Sequence, residues 1–187
     1  MSGRTGRAID SGTQNTAARS MNVIQTERLV LRQLELHDAA FILELLNEAA
    51  FLQFIGDKGV RTLGDARDYI LKGPIDSYGR YGFGLYAACL LDGTPIGICG
   101  LVRRDGLADV DVGFAFLSRH CAKRYAAESA SAVLVHARQV LRMQRIVAIT
   151  SPENLGSIAV LEKIGLKFER MIRLAELGPE LKLFGPA

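Results

Sequence analysis

The chain has 187 residues, 49% of them apolar and 23% charged, which fits one soluble globular domain with a sizeable core. A net charge of +3 is too small to argue for nucleic acid, although it suits an anionic small molecule. No apolar run approaches the length of a membrane span, so membrane partners are not expected.

Residues 1–20 are rich in Gly, Ser, Thr and Arg and offer almost nothing to bury. They are expected to form a disordered tail, the other reading of their arginines being a targeting leader. Met21 is a possible alternative start, and residues 21–187 form the expected domain.

Val23–Leu34 alternates apolar and polar positions and predicts one half-buried strand. His37 and Asp38 then open a helix, with Asp38 as its cap and Ala39, Ile42, Leu45 and Leu46 as its apolar face. Phe51–Thr62 is irregular, and Leu63–Tyr78 predicts a second helix that Gly73-Pro74 should break or kink. Three strands follow, Phe83–Leu91, Pro95–Arg103 and Asp109–Leu117. Asp92-Gly93 and Asp105-Gly106 join them as hairpin turns with positive φ.

Tyr125–Leu141 predicts a helix with a buried stripe of Ala126, Ala130, Val133, Ala137, Val140 and Leu141. Arg145–Thr150 is a short buried strand, and Asn154–Ile164 another helix, stopped by a left-handed Gly165 with Leu166 touching Leu161. Leu166–Ala175 and Leu181–Phe184 complete the strands. A strand–helix–strand unit beside a meander implies a mixed sheet.

Cys89, Cys99 and Cys121 are an odd number at no metal-ligand spacing, and His37, His120 and His136 are scattered. No metal site is expected, and reduced thiols fit a cytoplasmic protein. Two stretches carry candidate chemistry. Ser118–Arg124 runs from a strand end into a helix start, where free amides and the helix dipole favour an anion. Arg119, Lys123 and Arg124 crowd it beside His120, which suits a pyrophosphate, although charge alone favours a solvated basic turn. In Ser151–Glu169, Asn154 and Ser157 share one side of a first helical turn after a strand end, either as ligand contacts or as a cap and its neighbour.

Together these segments resemble the GNAT acyltransferase superfamily, and within it the ribosomal-protein N-terminal acetyltransferase-like branch. TERLVLRQL is similar to the family's first strand, VGFAFLSRHCAKRYAAES to its cofactor strand, loop and helix, and ITSPENLGSIAVLEKIGLKFE to its later signature. The last matches at Asn154, Ser157, Leu161, Gly165 and Phe168.

The resemblance implies an α/β (mixed α+β) single-domain fold. Its central mixed sheet would have about seven strands, splayed between strands 4 and 5, with about four flanking helices. It implies acetyl-CoA as donor and no metal. The pantetheine arm would pair with the backbone of Val112–Leu117, including Phe114, Phe116 and Leu117. The pyrophosphate would rest on the turn from Arg119 to Ala126, so on Arg119, Ala122, Lys123, Arg124, Tyr125 and Ala126. Asn154 would meet the pantetheine arm or the attacking amine.

Ala122 and Arg124 replace the family's usual glycines. Ala122 costs little if its φ is negative, and Arg124 is the more serious replacement. Positive φ at Arg124 would cost ~1 kcal/mol or more. Charge-assisted bonds to a phosphate, each roughly 1.5–3 kcal/mol, would offset that. The persistence of Tyr125, Ala126, Glu128 and the later signature favours a working but altered site.

For chemistry, the resemblance implies direct attack by an amine in a ternary complex. Ser157 would stand near the leaving sulfur, since Leu161 occupies the place of a common tyrosine acid. Asp111 would take the amine proton, or is simply an exposed strand residue, and Cys121 fits a bystander. Phe51–Arg61 and Ser77–Phe83 would shape a pocket for a small-molecule amine or a protein N-terminus. The alternative is a non-catalytic acyl-CoA-binding or interaction module, in either case a monomer or homodimer.

Overall fold

The structure, a computed structural model, describes residues 21–186. The expected N-terminal tail, residues 1–20, lies outside them, as does Ala187.

The first apolar–polar run is two strands rather than one: β1 (Asn22–Gln25) and β2 (Leu29–Arg32) form an antiparallel hairpin. Thr26 makes the turn. Its N–H donates to the Leu29 carbonyl at 2.8 Å and its hydroxyl oxygen accepts from the Leu29 N–H at 3.0 Å. Four consecutive polar residues, Gln25, Thr26, Glu27 and Arg28, break the alternation at this turn, a signal the single-strand expectation passes over.

A 3-10 turn at Leu36–Asp38 leads into α1 (Ala39–Leu46), whose Ala39, Ile42, Leu45 and Leu46 are buried as expected. Asp38 does not cap that helix. It is buried, accepts from the Glu35 N–H at 2.9 Å, and pairs through both oxygens with Arg32 at 2.6 and 2.7 Å. α2 (Ala49–Phe54) runs into the stretch expected to be irregular, which begins at Phe51. The Gly-Pro pair interrupts the next helix without ending it. α3 (Leu63–Ile70) passes through one wide π turn at Leu71–Ile75 into α4 (Asp76–Tyr81). Proline has no N–H to give an α ladder, and the wider turn accommodates its ring.

The meander is present as β3 (Leu85–Leu90), β4 (Pro95–Val102) and β5 (Val110–Phe116). α5 (Tyr125–Gln139) follows, then β6 (Ile146–Thr150), α6 (Leu155–Lys163), β7 (Leu166–Ile172) and β8 (Leu181–Pro186). α5 buries Ala130, Val133 and Ala137 as expected, but adds Ala127, Ser129 and Leu134. Val140, 63% exposed, lies beyond its end. Gly165 stops α6 at φ 88, with Leu161 and Leu166 both in the buried core behind it.

The strands join in the order β1-β2-β3-β4-β5-β6-β8-β7, with β5 and β6 the parallel pair. That is eight strands against the expected seven or so, the hairpin supplying the extra one, and six α-helices among the described residues against about four. Two apolar layers cover the sheet. α5 covers one face against Tyr86, Cys99, Leu101 and Val112. α1 and α3 cover the other against Ala87, Cys89 and Ile98.

Candidate functional site

The sheet is held together weakly at one seam. β5 pairs with β6 only at Val110–Ile146 and Asp111–Val147, after which β6 continues its ladder with β8 alone. Beyond that point the two strands part. The Leu117 N–H donates to the Ile96 carbonyl at 3.0 Å, on the β4 side. Alternation along an antiparallel strand then turns the main-chain groups of Phe114 and Phe116 the other way, into the gap. Buried peptide groups demand partners, and a ligand carrying amides is one way to supply them. Leu117 itself is wholly buried against β4 and α1, so of the three expected strand contacts only Phe114 and Phe116 face the gap.

The gap leads to the turn before α5. A 3-10 turn at Ser118–His120 is followed by two left-handed residues, Ala122 at φ 60 and Arg124 at φ 67. Ala122 therefore shares the strain expected of Arg124 alone. The N–H groups from Ala122 through Ala127 have no acceptor among the described residues. Six successive free amides at a helix start are donors that suit an anion.

The basic side chains of the turn separate into different roles. Arg119 is engaged by Glu44 of α1 through both guanidinium ends, and that bond holds the Glu44 carboxyl below its ordinary value. The pairing draws this guanidinium toward α1 and away from the cavity lining, while its Nε has no partner among the described residues. The Arg124 side chain makes no hydrogen bond or ion pair among the described residues, and Arg124 lines the cavity. Lys123 is exposed, and its carbonyl accepts from Arg28 Nη1 at 3.2 Å. His120 lines the cavity with a buried Nδ1 that has no partner among the described residues. Burial, then Lys123 and Arg119, push its pKa down.

The β1–β2 turn anchors this loop from behind. Glu128 Oε1 accepts from the Thr26 hydroxyl at 2.6 Å and the Arg28 N–H at 3.0 Å, while Oε2 meets Arg28 Nε at 2.7 Å. Arg28 also lies over the Tyr125 ring at 4.7 Å. Burial alone would raise the Glu128 carboxyl, but the bonds from Thr26 and Arg28 together outweigh it and the pKa falls.

On the other side of the gap, Asn154 caps α6, its Oδ1 accepting from the Ser157 N–H at 3.0 Å. The Asn154 amide nitrogen and the Ser157 hydroxyl have no partner among the described residues. Both residues line two adjoining cavities. One, of about 530 Å³, runs along the turn past Tyr125 and Ala126. The second, of about 570 Å³, opens between α2, α3, α4 and β5. Phe114, Ala115, Asn154 and Ser157 line both, so the two meet at the parting of the strands. Cys121 lines the first, but burial and then the Glu48 charge push its thiol up, away from the nucleophilic thiolate.

Asp111 lies in the floor of the second cavity. It is buried, with both oxygens 3.0 Å from Arg104 Nε. Burial raises its pKa more than the Arg104 charge lowers it. Tyr69 lines the same cavity with its hydroxyl unpartnered among the described residues, and burial raises its pKa too.

Nine of the twelve sequence-predicted site residues thus line these two cavities: Asp111, Phe114, Phe116, Ala122, Arg124, Tyr125, Ala126, Asn154 and Ser157. Arg119, Lys123 and Leu117 do not. Of the segments expected to shape the pocket, Phe51, Phe54, Ile55 and Lys58, and Ser77, Arg80 and Tyr81, do line it. Sequence reasoning missed Arg104, Tyr69 and the Thr26–Arg28–Glu128 anchor. Arg104 had a signal, since it and Asp111 flank the Asp105-Gly106 hairpin; the others had none. No cluster of potential metal ligands occurs among the described residues, and no helix there is long and apolar enough to cross a membrane.

Residues 28–167 match the acetyltransferase (GNAT) domain family. An uncharacterized N-acetyltransferase of Bacillus subtilis, YnaD, is 29% identical over 146 residues, 78% of this chain and 83% of its own. The structure superposes on a GNAT-family acetyltransferase of Bordetella pertussis with TM-score 0.71 and 25% identity, covering 89% of this chain and 100% of that one. It also superposes on the ribosomal L7/L12 alpha-N-protein acetyltransferase RimL in complex with coenzyme A. There the TM-score is 0.74 and the identity 16%, over 86% of this chain and 94% of that one, a likeness of fold. The chain belongs to the acetyltransferase (GNAT) domain family.

Proposed function

We propose that this GNAT-family chain is an N-acetyltransferase that moves an acetyl group from acetyl-CoA to a primary amine by direct attack in a ternary complex. The observation that carries the reading is the junction of two cavities at Phe114, Ala115, Asn154 and Ser157, one reached past free amides and the other walled by aromatic side chains. A donor and an acceptor can enter from opposite sides and meet there.

The residues present fit coenzyme A. The amides from Ala122 to Ala127 and the unpartnered Arg124 guanidinium would hold its diphosphate. The main-chain groups of Phe114 and Phe116, with the Asn154 amide, would hold its pantetheine arm. When bound, acetyl-CoA supplies a thioester carbonyl carbon. An N–C bond forms, the C–S bond breaks, and the nitrogen gives up a proton. Ser157 Oγ–H would donate to the sulfur, and Asp111, its carboxyl raised by burial, would take the amine proton through water; both line the cavity where the two reactants would meet. The relative YnaD is named an N-acetyltransferase, and RimL acts on a protein N-terminus, which supports an amine acceptor.

The competing reading is a non-catalytic acyl-CoA-binding module. It draws on Leu161, wholly buried in the place of the tyrosine acid, and on the two strained loop residues. Calorimetry with coenzyme A, followed by thiol-release assays on a broad amine panel, separates them. Binding with turnover supports the enzyme. Binding without turnover supports the module, and no binding removes both.

A further inference from the structure

We infer that Arg104 is a carboxylate-binding fork in the acceptor cavity, so that the acceptor is an amine carrying a carboxylate close to its reactive nitrogen. This rests on the acetyltransferase reading and adds the substrate class. The geometry begins with Asp111. Its side chain is 1% exposed, and it grips Arg104 by Nε alone, with both oxygens at 3.0 Å. Nη1 and Nη2 are left without an acceptor among the described residues, and the Arg104 side chain remains 34% exposed to the cavity.

A guanidinium presents its donors in a rigid plane. Held by its inner nitrogen, it offers the two outer ones as a pair, the arrangement that meets both oxygens of a carboxylate. Asp111 thus fixes the plane and leaves the fork empty. Nη2 lies over β5, 3.9 Å from where a Cβ on Gly113 would stand. Gly113 immediately precedes Phe114, where the two cavities meet. A carboxylate on the fork therefore sits near the point where the amine must be delivered.

The lining agrees in sign. Arg80 is paired with Asp76, and Arg104 with Asp111. That leaves Lys58 and Arg103 without ion-pair partners among the described residues, against Asp105 alone. Phe51, Phe54 and Tyr69 narrow the approach with apolar surface, which strengthens a charged contact by excluding water.

The carboxylate could belong to a free amino acid or to an acidic residue near a peptide N-terminus, and a paired panel distinguishes them. One arm compares L-serine, L-methionine and L-glutamate with their carboxamides. The other compares amidated tetrapeptides bearing Asp or Glu at the second position with the Asn or Gln isosteres. Neutralising the carboxylate is expected to lower kcat/KM at least tenfold in one arm, chiefly through KM, and Arg104→Gln should abolish that preference. Arg104→Lys keeps a cation against Asp111 but not the planar fork, so it should fold even if the glutamine variant does not, and it should also lose most of the preference. Titrating the CoA-loaded protein with the same acceptors reads the preference without turnover. Equal use of charged and neutral partners, acetylation of carboxylate-free amines alone, or CoA binding with no turnover across the panel would each overturn the inference. Failure to bind coenzyme A at all would instead remove the acetyltransferase reading beneath it.

Discussion

Arg28 and Glu128, a hundred residues apart in the chain, meet behind the turn that opens α5 through a hydrogen bond from Nε to Oε2 of 2.7 Å. The same arginine reaches the Lys123 carbonyl at 3.2 Å, between the two left-handed residues. The β1–β2 turn therefore holds the loop in a conformation its own sequence disfavours. Arg28→Ala is expected to cost about 1 kcal/mol of stability, a modest figure because half of the pair is open to solvent. Coenzyme A affinity should fall several-fold at the same time. Calorimetry showing unchanged affinity would mean the loop keeps its shape without the anchor.

Ala122→Gly should raise stability by ~1 kcal/mol, since glycine adopts positive φ without a Cβ clash. Arg124→Gly should give a similar gain yet weaken coenzyme A, because the unpartnered guanidinium is lost. Thermal melts paired with titrations separate the two effects. If Arg124→Gly left affinity intact, the side chain would have no part in holding phosphate.

Asn154 does two things that one substitution would confound. Asn154→Ala removes the cap on α6 and should cost ~1 kcal/mol while lowering turnover. Asn154→Asp keeps an acceptor for the Ser157 N–H but loses the amide donor. It should fold nearly as stably and still turn over slowly. Wild-type turnover in the aspartate variant would reduce Asn154 to a cap.

His120 and His136 both have pKa values pushed below the ordinary 6.5, by burial first, with Lys123 and Arg119 adding to it at His120. An unfolded chain binds protons at these rings before the folded one does. Stability should therefore fall as pH drops below about 6.5. His120→Gln should remove part of that slope, and saturating coenzyme A should flatten it, since nearby phosphate favours the protonated ring. Identical melting curves for variant and wild type across this range would show that the orphaned Nδ1 carries no linkage.

Most of the architecture could be read from local pattern, because hairpin glycines, helical stripes and the Asn154–Gly165 signature are written in contiguous residues. What escaped reading depends on distance or on coincidence. Thr26 turns the chain inside a polar stretch of four residues, Gln25 to Arg28, which is short enough to pass for the exposed part of one strand. Val140 keeps helical spacing but falls past the end of α5, where no sheet remains to cover it. Arg119 looks like a phosphate ligand until α1 brings Glu44 beside it. The orientation of Arg104 depends on a buried carboxylate across a hairpin, which no spacing rule records.

Arg145 bolts the base of the parted strands, its Nε 2.9 Å from Asp109 at the entry to β5 and its Nη2 2.7 Å from Glu169 on β7. Above the bolt only two residue pairs join the half-sheets. Besides the apolar core they share under α5, the half-sheets are therefore held by a short ladder and an ionic rivet, and that rivet is partly open to solvent. Counter-ions that screen it within a Debye length of roughly 8 Å should let the half-sheets flex about their base. Ionic strength would then tune how widely the wedge gapes, with the apolar layers on either face left untouched.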